Sequence, residues 1–367
     1  MLVVNTHQKS GYSKEHLSEE LSSKKVTLGF DGYIDSIVKI VKTKGADGVE
    51  HYFEDSTEFG TYIIDKADKN FSLELHQEIF KVGGNMPITA NAFARLGCKV
   101  DCIGALGLPD IHHIFEQQMS PNCTFHSYAE PGMSTAIEFR NNKMMLAEST
   151  QINNANWPYI RETIGLDLLV KLFSGKDLIG LLNWSELAHS SEVWRGLLAE
   201  VLPFTCQTQS KPVGLFDLSD CSKKSNTELL EALELIRQFG DYWNVVLSLN
   251  MNESTLIYKA LHEGKTDSPP IEETAKAIYD ATGIHTVLIH HSTTACCCNA
   301  DGIVTRQTQK LTDPKLLTGA GDNFNTGFCA ALLLGISTEE ALEMGHEVTR
   351  NYISTGQSPQ LDQVLQK

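Results

Sequence analysis

The chain has 367 residues, enough for one large α/β core with insertions or for two ordinary domains. With 30 Lys and Arg against 46 Asp and Glu, its formal charge of −16 lacks the basic surplus that phosphate backbones require, which excludes nucleic acid as the main partner. No window approaches the roughly 20 consecutive apolar residues of a membrane span, so no membrane association is expected.

Nine cysteines occur without any Cys-x-x-Cys pair, and Cys296-Cys297-Cys298 sits in an apolar stretch that reads as a buried strand. Reduced, structural thiols are expected, and with an opening "MLVVNTHQKS" too short for a signal peptide they suggest the cytoplasm.

A polar opening carries "SKEHLSEELSSKK", a surface helix starting at Ser13. "KKVTLGFDGYID" follows: an apolar run from Val26 to Phe30 that closes on Asp31 and Asp35, as a strand ending at a ligand crevice would. "VKTKGADGVEHYF" reads as a small hairpin around Gly45 to Gly48. In "FKVGGNMPITANAFARLGCKVDCIGALG" the diglycine Gly83-Gly84 precedes a helix, Gly97 caps its far end, and a strand runs from Val100 to Gly104. Residues 122–147 alternate about turn signals at Pro131-Gly132 and Asn141-Asn142, which predicts an antiparallel pair.

Thereafter strands and helices alternate: "DLIGLLN", a helix from about Ser190, "PVGLFDLS", "NTELLEALELIRQF", "WNVVLSLN", "PPIEETAKAIYDAT" and the strand "TVLIHHSTTACCCN". This order argues for a parallel sheet covered by helices on both faces. The expected organisation is a main α/β domain from 1–31, 61–121 and 146–367, with β segments at 32–60 and 122–145 forming a separate layer or lid.

The most informative stretch is "LTGAGDNFNTGFCAALLLG", residues 317–335. A helix start leaves backbone N–H groups unpaired and concentrates partial positive charge, so Gly319-Ala320-Gly321-Asp322 is a natural anion site. Asp322 is out of place if anion binding is the whole purpose, yet sensible if it must take a proton from a group attacking that anion. Gly327 is expected to make room for a neighbouring strand or ligand, and Gly335 to end the helix. The plainer reading is that Asp322 merely caps the helix.

"TGAGDNFNTGF" resembles the C-terminal signature of the ribokinase-like (PfkB) carbohydrate kinases, and "GG…ARLG" at 83–97 resembles their N-terminal one. The order of elements is similar from about residue 25 to 356. The resemblance implies a three-layer αβα ribokinase-like fold with a central, mostly parallel sheet and a small β lid. It implies that Asp322 is the catalytic base, that the amides of Gly319, Ala320 and Gly321 cradle the transferred phosphoryl group, and that ATP is the donor. Asn250-Met251-Asn252-Glu253 matches the family's Asn-x-x-Glu, which would place Asn250 at the nucleotide and Glu253, through water, at Mg²⁺. The plainer alternative for Glu253 is an acid at a helix N-terminus.

Asp35 matches the family's aspartate for two sugar hydroxyls, with Gly83 and Gly84 letting the backbone approach. Asp31 competes for that role or pins the turn, and Asn85 is a further sugar contact or a helix N-cap. Asn183 and Asp217 end predicted strands, where open α/β sheets bind ligands.

Three departures from the family pattern stand out. Leu316 and Leu317 replace an Asp-Thr pair, which leaves a monovalent-cation site doubtful. "HHSTTACC" replaces a Thr-x-Gly turn, and Ile88 takes the place of an asparagine.

The expected partners are a small sugar, phosphorylated on a primary hydroxyl, and a nucleotide, with a possible homodimer formed through lid edges. The alternatives are a nucleoside kinase of the same family and a catalytically silent sugar sensor.

Overall fold

A computed structural model describes residues 13–140, 142–206, 210–262 and 269–365. Its centre is a nine-stranded sheet built from β1 (Lys25–Gly29), β5 (Lys99–Gly104), β6 (Cys123–Ser127), β9 (Leu178–Leu182), β10 (Val213–Asp217), β11 (Asn244–Asn250), β12 (Thr286–His290), β13 (Thr294–Asn299) and β14 (Gly302–Gln307). The spatial order is β14-β13-β12-β11-β10-β9-β1-β5-β6. The strands from β12 through β6 pair in parallel, and β13 and β14 add an antiparallel edge.

Strands such as "LIGLL" are buried along their whole length because both faces are covered. Successive side chains point to opposite faces, and Cys296, Cys297 and Cys298 show this directly: the outer two join one core and the middle one the other. One face packs on the helices Asn226–Phe239, Met251–Leu261 and Ile271–Thr282, with Trp194, Phe216, Phe239 and Trp243 in edge and stacked contacts. The other packs on the helices Asn85–Arg95, Ala320–Leu333 and Thr338–Thr355 through Phe93, Phe324, Phe328 and Leu342. The result is the expected three-layer αβα arrangement.

Local chemistry fixes the helix starts. Ser225 and Glu228 form a complete capping box, as do Asn250 and Glu253, each such cap being worth about 1 kcal/mol. Gly327 lies where two helices cross: a Cβ there would sit 2.7 Å from the Met344 carbonyl oxygen, so it serves helix packing and not a strand or ligand.

A second, smaller sheet joins β2 (Tyr33–Lys44), β3 (Glu50–Tyr52), β4 (Glu74–Gly83), β7 (Gly132–Glu138) and β8 (Lys143–Glu148). Its membership differs from the sequence-based boundaries. β4 lies outside the expected lid ranges but pairs with β2 along most of its length. It is exposed on both sides for most of its run, so it carries no clear apolar alternation. β6, expected in the lid, instead extends the large sheet beside β5, so the predicted antiparallel pair reduces to β7 and β8. Of the second turn signal, Asn141 lies outside the described residues. The long strand expected over "TVLIHHSTTACCCN" is two, folded back at His291 so that β12 and β13 pair antiparallel.

Among the described residues no helix is long and apolar enough to cross a membrane.

Candidate active site

The carboxyl ends of β9, β10, β11 and β12, the start of the helix Ala320–Leu333 and the small sheet surround one cavity of about 620 Å³. A crevice at this end of a parallel sheet is where open α/β folds take ligands. Asp35, Gly84, Asn85, Asn183, Asp217, Asn250, Glu253, Gly319, Gly321 and Asp322 all line it.

Gly319 begins the helix with φ +91°, a left-handed conformation that glycine adopts without strain. Its neighbour Ala320 departs from expectation: its N–H donates to the Leu317 carbonyl at 3.1 Å, and the residue does not line the cavity. A tight turn consumes that amide, leaving Gly319 and Gly321, whose N–H groups bond no acceptor among the described residues. Asp322 faces the cavity although only 7 % exposed. Its Oδ1 accepts from Thr89 Oγ1 at 3.1 Å, and burial, followed by the nearby Asp217 charge, holds its carboxyl well above the usual range.

Asp31 and Asp35 divide the roles that the sequence left open. Asp31 is fully buried and accepts from the Asn85 and Met86 amides at 2.8 and 2.7 Å and from Asn183 Nδ2 at 2.7 Å. Burial still lifts its pKa to about 6. It pins the helix Asn85–Arg95 and does not line the cavity, so it is not a sugar contact in this geometry. Asp35 reaches the cavity and its carboxylate accepts no hydrogen bond from any described residue, which leaves its acceptor capacity whole.

The diglycine has a specific reason. A Cβ on Gly83 would lie 2.2 Å from Asp35 Oδ1, and one on Gly84, at φ +87°, 2.7 Å from Asp31 Oδ2. Gly84 is itself the N-cap, so Asn85 is the first helical residue and not the cap. Asn183, in the left-handed region at φ 62°, donates to Asp31 while its Oδ1 stays buried without a partner. Asn183 as a residue lines the cavity.

Asn250 Nδ2 donates to Glu253 Oε1 at 2.6 Å and the Asn250 amide to Oε2 at 2.9 Å. Burial, with Asp217 nearby, pushes Glu253 up to about 9. Among the described lining residues stand six carboxylates, Asp35, Glu186, Asp217, Asp220, Glu253 and Asp322, against one lysine, Lys223, itself bonded to Glu186 at 2.6 Å. Held protonated by burial, Glu253 and Asp322 would ionise against an arriving cation, so this acidic lining fits a hydrated divalent cation that comes with a nucleotide. Among the described residues no three His, Cys, Asp or Glu side chains are grouped so as to hold an ion directly.

Sequence reasoning missed Thr89, whose partner lies 233 positions away; His290 ends β12, and its ring also packs against Gly321. Poor access to water pushes His290 down to about 4, so it meets the anion turn as a neutral imidazole.

Fold and site together define a phosphotransferase with an alcohol acceptor, a sugar kinase of the ribokinase-like class. The family described as prokaryotic ketohexokinase matches residues 3–366, and the chain belongs to it. A curated ketohexokinase from Haloferax volcanii is 28% identical over 355 residues, covering 96% of this chain and 92% of its own. Among solved structures, adenosine kinase from Sinorhizobium meliloti matches with a TM-score of 0.64 at 14% identity, covering 94% of this chain and 97% of its own. Phosphofructokinase-2 from Escherichia coli gives 0.62 at 14% over 94% and 97%, and ribokinase from Thermotoga maritima 0.60 at 16% over 93% and 97%. At such identities these three speak for the fold.

Proposed function

We propose that the protein transfers the γ-phosphoryl group of ATP to a primary hydroxyl of a ketohexose. The observation that carries this reading is that Asp322, the free amides of Gly319 and Gly321, and the unbonded carboxylate of Asp35 all face one cavity. Asp35, with Asn183 Oδ1, accepts from the sugar hydroxyls and turns one of them toward Asp322. Asp322 takes that hydroxyl's proton as its oxygen attacks the γ-phosphorus. The bond to the bridging oxygen breaks, and ADP, a sugar phosphate and a proton result.

The amides of Gly319 and Gly321, at the positive end of their helix, stabilise charge on the phosphoryl oxygens. Glu253 and Asn250 would hold Mg²⁺ through water. When bound, that ion supplies neutralisation of the phosphate charge. The small sheet acts as a lid whose Tyr33, Ser134, Met145 and Ala147 roof the cavity and limit access of water. Its edge strands β4 and β8, with Leu75, Ile79 and Leu146 exposed, support pairing with a second copy. The nine unpaired cysteines support a reducing compartment such as the cytoplasm.

Family membership and the Haloferax relative favour a ketohexose over a nucleoside or a silent sensor. The test is ADP release with ATP, Mg²⁺ and, in turn, fructose, ribose, 2-keto-3-deoxygluconate, adenosine and inosine. Turnover is expected with fructose, and Asp322→Asn is expected to lower kcat by about 10²–10⁴-fold with nucleotide binding retained. Preferential turnover of a nucleoside would overturn the substrate, and near-normal turnover by the variant would overturn the base.

A further inference from the structure

We propose that Lys81 is a positioning residue of the sugar site, facing Asp35 from the neighbouring strand and fixing that carboxylate where the substrate hydroxyls dock. This rests on the reading of Asp35 as the sugar anchor.

The geometry follows from strand pairing. In the antiparallel ladder of β2 and β4, Asp35 stands directly opposite Lys81, and Tyr33 opposite Gly83. Residues 81 and 83 share one face of β4, so the carboxylate of Asp35 meets Lys81 across the ladder and Gly83 on the diagonal. Gly83 clears the space and Lys81 supplies the charge. "KVGG" is thus a single device presented to one aspartate.

The Lys81 Nζ lies 3.8 Å from Asp35 Oδ2, with the two side chains only 18% and 12% exposed. That distance gives attraction in a poorly hydrated site without a formed hydrogen bond, so the lysine steadies the charge and leaves both oxygens free for the sugar. Burial raises Asp35 and only Lys81 opposes it, while burial lowers Lys81 and Asp35 opposes that. The other charged or titratable groups within reach are Lys143 of β8, Asp322 and Tyr352. Among the described residues Asp35 is the one ion-pair partner of Lys81, so the lysine has no other ionic contact to serve there.

The experiment compares steady-state kinetics of the full-length protein with Lys81→Met, Lys81→Arg and Asp35→Asn. Lys81→Met should raise the sugar KM at least tenfold, leave the ATP KM within about twofold, and move the acid limb of kcat/KM for the sugar to higher pH by about one unit. Lys81→Arg, which keeps the charge, should restore the sugar KM to within about threefold of the parent. A sugar KM unchanged in Lys81→Met while Asp35→Asn raises it overturns the role of Lys81 alone. A sugar KM unchanged in Asp35→Asn overturns the anchor beneath it. If Lys81→Met does not fold, Lys81→Gln is read by the same criteria, and failure of Lys81→Arg to rescue either neutral variant counts against the proposal.

Discussion

Thr89 Oγ1 donates a hydrogen bond to Asp322 Oδ1 at 3.1 Å, joining the N-terminal halves of two helices that begin 235 positions apart. The helix that follows the diglycine therefore orients the carboxylate of the helix that follows the GAGD turn. Because this donor favours the ionised form of Asp322, its loss should push the carboxyl further up. Thr89→Val is expected to cut kcat about tenfold and to shift the acid limb of the kcat profile to higher pH, because a base works only when deprotonated. The sugar KM should stay near normal, and a pH profile superimposable on the parent's would refute the link.

Gly83→Ala tests the packing of the sugar anchor. The added Cβ would lie 2.2 Å from Asp35 Oδ1, so the strand or the carboxylate must move. A loss of about 1–3 kcal/mol in stability and a raised sugar KM are expected, with ATP affinity little changed. Thermal melts and sugar titrations read the two effects separately.

Glu253 predicts a pH dependence. Its folded pKa of about 9 exceeds the ordinary 4.5, so between those values the folded state holds a proton that the unfolded chain has released. Stability of the ligand-free protein should fall as pH rises through this window. Glu253→Gln removes that contribution and should flatten the decline in Tm between about pH 6 and pH 9. Mg²⁺ with nucleotide should raise the Tm of the parent more than that of the variant, since binding to the folded form stabilises it. Equal slopes in the two proteins would contradict this account.

The proposed pairing of lid edges predicts a dimer by light scattering, converted to monomer by Leu146→Lys on β8, where Leu146 is 53% exposed. A parent protein that is monomeric at micromolar concentration removes the pairing.

Much of the large sheet was legible because strands buried on both faces read as unbroken apolar runs, "LIGLL" and "VVLSL" among them, and because glycine and capping residues marked the helix ends. The GAGD turn, Asp35 and Asn-x-x-Glu were singled out through spacing and a family resemblance, and the fold brings them to one cavity. β4 was not, since an edge strand wetted on both sides has no alternation to read. β6 was misplaced because "CTFHS" has the same local pattern whether it pairs with β5 or folds back on β7. The bond from Thr89 to Asp322 was invisible for a different reason: nothing local in either segment encodes a contact across the full width of the chain. The Ala320 amide was overcounted because a sequence does not show which N–H a tight turn consumes.

β4 passes through Gly83-Gly84 straight into the helix that carries Thr89, with Asp31 clasping the junction. The small sheet and the threonine that bonds Asp322 thus share one continuous piece of backbone. Any tilt of that sheet would pass along this backbone to Thr89 and, through its hydroxyl, to the Asp322 carboxylate.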